Sequence, residues 1–123
     1  MSDSSNVVIN LATGLEDAER VLVAFLVGVA AVERGKRVTM FLTKDAVRLA
    51  LPSYAQGVAC DGCPPLEKLF AQYEEGGGTL LVCPICFNAR RLDQGDLVAN
   101  AELAGATPLW EWIGDDHATV FSY

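Results

Sequence analysis

Short apolar runs separated by helix-length segments constrain this chain more than any other feature. NVVINLA (6–12) is a continuous apolar run rich in β-branched residues and reads as a buried strand. RVTMFLT (37–43), TLLVC (79–83) and ATVFSY (118–123) read as further strands, and a short one is expected between the last two helices. A helix starts in TGLEDAER, with Glu16 and Asp17 near its positive end, runs to about Arg34 and stops at Gly35. KDAVRLAL (44–51) reads as a short helix ended by Pro52, and PPLEKLFAQYEE (64–75) as a helix with proline in its first turn, closed by GGG. PICFNARR opens another helix, and NAELAGATPLWEWI adds a short helix and a turn. Strands alternating with helices fold as a mostly parallel sheet with helices on both faces. The expectation is a single domain over 1–123 with a mostly parallel five-stranded sheet.

At 123 residues and 51% hydrophobic content, the chain builds a core without a metal or disulfide. Its formal net charge of -7, with nine scattered Lys and Arg, argues against a nucleic-acid surface. The N-terminus MSDSSNVVIN lacks the basic and apolar regions of a secretory signal, and the longest apolar run, 21–32, is too short to span a bilayer. A cytoplasmic location is therefore expected, without membrane or nucleic-acid partners. In a reducing compartment, cysteines in two C-x-x-C pairs read as catalytic or metal-binding rather than as disulfides.

The helix segment VLVAFLVGVAAV is apolar all round, where a surface helix of a small domain would show a stripe. A second copy of the chain is the expected cover, so the protein is expected to form a homo-oligomer.

The chemistry concentrates in LLVCPICFNARR (80–91). Cys83 stands where a strand ends, the edge at which open α/β sheets gather reactive groups. With Pro84 as first helical residue, Cys83 is the cap and Cys86 lies in the first turn, facing free backbone N–H groups that favour a thiolate. Arg90 follows Cys86 at i+4, on the same face, where a guanidinium stabilises a thiolate or persulfide anion. Three readings stay open on these residues. Cys83 or Cys86 is a nucleophile for sulfane sulfur or thiol–disulfide exchange. Alternatively, Cys60, Cys63, Cys83 and Cys86, spaced C-x2-C-x19-C-x2-C, hold a structural zinc. In the third reading the cysteines are inert and buried, and the chain is a non-catalytic oligomeric binding module whose pocket takes a small ligand or a partner protein.

Gly14, after a strand and before a helix, reads as a turn residue, since neither G-x-G-x-x-G nor a Walker sequence surrounds it; no cofactor is expected beyond the alternative zinc. His117, the single histidine, reads as an exposed turn residue, Asp61 as a solvated loop charge, and Trp110 and Trp112 as packing residues.

Taken in order, the opening strand with TGLEDAERVLVAFLVGVAAVERGKRVTMFLTKDAVRLAL, then GCPPLEKLFAQYEEGGGTLLVCPICFNARRL, then ELAGATPLWEWIGDDHATVFSY, the sequence resembles the DsrE/DsrF-like family, with its TusD-type sulfur-relay subunits and YchN-type proteins. The resemblance covers nearly the whole chain. It implies a flavodoxin-like three-layer α/β sandwich assembled as trimers or hexamers, and a sulfur-relay partner protein. It also implies a cysteine after the middle strand that carries a persulfide, as a sulfurtransferase or sulfur carrier. Cys83 matches that position best, with Cys86 next. The sequence departs from the family pattern in two places: Arg90-Arg91-Leu92 replaces the usual Arg-Gly, and the pair Cys60/Cys63 is additional.

Overall fold

The computed structural model describes residues 6–59 and 62–123; Cys60, Asp61 and the first five residues lie outside the described part. Five parallel strands, β1 (Asn6–Leu11), β2 (Arg37–Leu42), β3 (Thr79–Val82), β4 (Ala101–Leu103) and β5 (Ala118–Ser122), form one sheet in the order β4-β3-β2-β1-β5. Four α-helices connect them: α1 (Ala18–Glu33), α2 (Leu66–Glu75), α3 (Pro84–Ala89) and α4 (Ala106–Ile113). The expected α/β fold is the one found, with every strand pair parallel.

The strand order fixes the layers. From β1 to β4 the chain steps steadily outward, so right-handed crossovers put α1 and α2 on one face; the step from β4 to β5 runs back across the sheet and sends α4 to the other. Alternation then divides the side chains. Val7, Ile9 and Leu11 of β1, Val38, Met40 and Leu42 of β2, and Leu80 and Val82 of β3 join one core cluster with α1 and α2. Phe25 of α1 stacks on Phe70 of α2 with ring centres 5.0 Å apart and meets the edge of Tyr73 at 5.9 Å. On the other face, the buried Thr39 hydroxyl accepts from the half-buried Thr79 hydroxyl at 2.9 Å, which satisfies the buried polar group.

α4 is held at its end by polar contacts. Arg37 donates to the Trp112 carbonyl at 2.6 Å and lies 3.9 Å from the Trp112 ring centre, and Asn6 donates to the Ile113 carbonyl. None of its residues is buried, and Trp110 is 70% exposed. Trp112 therefore packs where β2 begins, at the opposite edge of the sheet from the strand ends that lead to the cysteines.

Two expectations change in detail. Lys44–Ala50 is a 3-10 helix, entered through Lys44 in a left-handed conformation (φ 53°). α2 starts at Leu66, because Pro65 is its cap in extended conformation (φ -64°, ψ 147°) and neither proline lies inside the first turn. α1 closes as its sequence implies, with Gly35 at φ 80° just beyond Arg34.

Candidate functional site

The carboxyl edge of β1, β2 and β3 carries the candidate site. β3 ends at Val82, and Cys83 is the cap of α3 with Pro84 first in the helix. The amide of Cys83 donates to the Leu42 carbonyl at 2.9 Å, which ties it to the end of β2, and its carbonyl accepts from the Phe87 amide at 3.0 Å, the first turn of α3. Phe87 is wholly buried and pins this six-residue helix to the core, while Ile85 on its other side is 80% exposed. The thiols of Cys83 and Cys86 are free and half-buried. The backbone thus delivers both cysteines to the strand end where the sequence places them.

Arg90 is beside Cys86, but not as a bare cation aimed at sulfur. Its guanidinium donates to the Cys86 carbonyl at 3.1 Å and to the Asp45 carboxylate at 3.3 Å. Asp45 comes from the turn after β2 and also accepts from Arg48 at 2.8 Å. Arg48 donates in turn to the Tyr54 hydroxyl at 3.2 Å. The Arg48 hydrogen bond holds the Asp45 carboxyl below its usual range; partial desolvation opposes this and Arg90 reinforces it. The same pairing raises the Arg48 guanidinium further.

Gly14 completes the edge. A Cβ there would lie 2.8 Å from the Asp45 carbonyl oxygen and 2.9 Å from its carbon, so the loop after β1 is seated directly on the Asp45 backbone. The Gly14 amide donates to the Glu16 carboxylate at 2.8 Å. Gly14 is thus a turn residue whose missing side chain makes room for its neighbour. Asp45 and Arg48 are the residues the sequence reading missed. The available signal was their position: Asp45 stands three residues beyond the last residue of β2, at the same edge as Cys83, with Arg48 at i+3 to hold it.

Cys63 does not join Cys83 and Cys86 as a thiolate. It is disulfide-bonded, against the expectation that the paired cysteines serve catalysis or metal binding rather than disulfides. That expectation rested on the compartment, whereas pairing depends on whether the local backbone brings two sulfurs together. A disulfide sulfur is not the thiolate a zinc ligand must be. Among the described residues, no three of His, Cys, Asp and Glu gather as a metal group; Cys60 lies outside them. His117 is exposed, as expected, in the turn before β5.

A parallel α/β sandwich with a free cysteine capping a helix at the carboxyl end of β3, and a second in that helix's first turn, is the class of protein this geometry defines. The sequence model of the DsrE/DsrF-like family matches residues 6–121, and the chain belongs to that family. An uncharacterized protein of Methanopyrus kandleri, MK0008, is 29% identical over 103 residues, spanning 84% of this chain and 82% of that one. The crystal structure of the ychN protein from E. coli superposes with a TM-score of 0.72 at 16% identity, covering 96% of this chain and 99% of that one. A conserved protein of unknown function from Bacteroides thetaiotaomicron, BT1422, gives 0.64 at 16% identity, covering 97% and 95%. These likenesses share the fold. Among the described residues, no helix is long and apolar enough to cross a membrane.

Proposed function

We propose that the protein handles sulfane sulfur through a persulfide on Cys83, with Cys86 as the second thiol of the site. The observation that carries this reading is the placement of a free, half-buried cysteine as the cap of α3 at the carboxyl end of β3, followed by Pro84 and a second free cysteine in the first turn. Backbone amides without helical partners surround such a cap and suit a sulfur anion. Family membership supports the same reading. In the transfer step the Cys83 thiolate attacks the outer sulfur of a low-molecular-weight persulfide, R–S–SH. A sulfur–sulfur bond forms on Cys83, the donor's sulfur–sulfur bond breaks, and the electron pair leaves on R–S⁻. The proton stays on the transferred sulfur, and no oxidant or reductant enters.

The protein acts as a homo-oligomer, trimer or hexamer, in the cytoplasm, and passes its sulfur to a partner protein. Uncovered apolar surface supports assembly. Val23 and Leu26 of α1 are 41% and 39% exposed, Val120 of β5 is exposed, and a hollow of about 370 Å³ lies between α1 and β5 with Val27, Ala30 and Phe121 in its wall.

Incubation with glutathione persulfide, followed by peptide mass spectrometry, tests the reading. One added sulfur atom on Cys83, absent in Cys83→Ser and retained in Cys86→Ser, is the expected result. An unmodified Cys83 under conditions that load a free thiol peptide refutes it.

A further inference from the structure

Arg48 and Arg90 share one carboxylate oxygen, and they share it unequally. Oδ1 of Asp45 accepts from Nε of Arg48 at 2.8 Å and from Nε of Arg90 at 3.3 Å. The Arg48 pair is local, at i+3, and the Tyr54 hydroxyl holds the same guanidinium from its other side. Arg90 reaches Asp45 from a different element, and its second anchor is the Cys86 carbonyl. Two guanidinium groups on one carboxylate leave a positive charge in excess. If Arg90 lets go, Asp45 keeps its nearer partner and no charge is orphaned, so the departure of Arg90 costs little. The hold on the Cys86 carbonyl keeps the guanidinium close to the thiols while it turns.

We propose that Asp45 is a positioning residue that keeps Arg90 as an exchangeable cation beside Cys86, to be released toward an anion arriving at the thiols. The ligand class is a small anionic sulfur compound, a persulfide or polysulfide before transfer and the protein's own persulfide after it. The identity of that anion rests on the persulfide reading; the exchange of Arg90 does not.

The test separates the two by using no sulfur donor. The rates at which iodoacetate (anionic) and iodoacetamide (neutral) alkylate Cys86 are measured by peptide mass spectrometry in a Cys83→Ser background, and their ratio isolates the effect of charge from that of accessibility. Arg90→Gln is expected to lower the ratio about threefold, the scale of one partly screened surface charge, and Asp45→Asn to raise it by a similar factor. Arg90→Lys is expected to retain much of the parent ratio. A disturbance of folding alone would change both rates together and leave the ratio unmoved. Ratios that shift in the same direction in Asp45→Asn and Arg90→Gln, or that do not move at Cys86, overturn the proposal. If the ratios behave as expected while Cys83 takes no sulfur from glutathione persulfide, the persulfide reading fails and the exchangeable cation stands.

Discussion

Replacement of Gly14 by alanine is the sharpest probe of how the site edge is built. The added Cβ would sit 2.8 Å from the carbonyl oxygen of Asp45, 2.9 Å from its carbonyl carbon and 3.0 Å from Oδ2. Two of these atoms are backbone, so no rotamer change relieves them. Nor can the two loops separate freely. β1 and β2 are paired residue by residue up to Leu11 and Leu42, and the Thr43 amide still donates to the Leu11 carbonyl at 3.0 Å. The φ of Gly14, -106°, lies outside the left-handed region, and the close contact is the cost worked here. Overpacking of this kind costs about 2 kcal/mol. With a urea slope of roughly 1.5 kcal/mol per M for a domain of this size, the unfolding midpoint should fall by about 1.3 M. Gly35→Ala is the control: its Cβ meets nothing within 4 Å, and only the left-handed φ of 80° opposes it, at about 1 kcal/mol. Urea unfolding followed by circular dichroism reads both. If Gly14→Ala unfolds within about 0.3 M of the parent, or is less harmful than Gly35→Ala, then Gly14 is not seated on Asp45 in the way these distances imply.

Tyr73 is wholly buried, with its hydroxyl donating to the Thr79 carbonyl at 2.7 Å, and Tyr73→Phe should cost about 1 kcal/mol in urea unfolding. Burial raises its pKa far above the ordinary value of 10.0. The folded chain therefore holds a proton the unfolded chain loses, so stability should be fully present below pH 10 and fall above it. Ultraviolet titration should show Tyr73 ionising only as the chain unfolds. Phe87→Ala removes the buried anchor of α3 and should destabilise by about 3 kcal/mol, while both free thiols gain reactivity toward iodoacetamide. Lys44→Gly relieves a left-handed residue on an exposed position and should stabilise by up to about 1 kcal/mol in thermal unfolding. Leu26→Glu, on the outward face of α1, should reduce the mass seen by light scattering to that of a smaller assembly while leaving the circular dichroism spectrum unchanged; an unaltered mass would move the proposed contact away from α1.

The parts of the fold that were legible in the sequence are those that local chemistry decides. NVVINLA reads as a buried strand because it is a continuous run without a charge, and it became one of three strands with a neighbour on each side, all but Asn10 of β1 being buried. Gly35 had to end α1. The proline after Cys83 had to begin a helix, and this alone placed both thiols. What the sequence concealed lies between elements. The Asp45–Arg90 pair joins residues 45 apart, and no pattern within KDAVRLAL or CPICFNARR announces it. The i+4 relation of Cys86 and Arg90 was read correctly as proximity, yet proximity did not say which atom of Cys86 the guanidinium would bind: it took the carbonyl, with Asp45 as its second acceptor. That difference changes the chemistry expected of the site. A cation fixed on a thiolate would stabilise the resting nucleophile and lower its drive to attack, whereas one held aside by a carboxylate with a partner to spare can, on the persulfide reading proposed above, follow the negative charge as it moves from thiol to donor to persulfide.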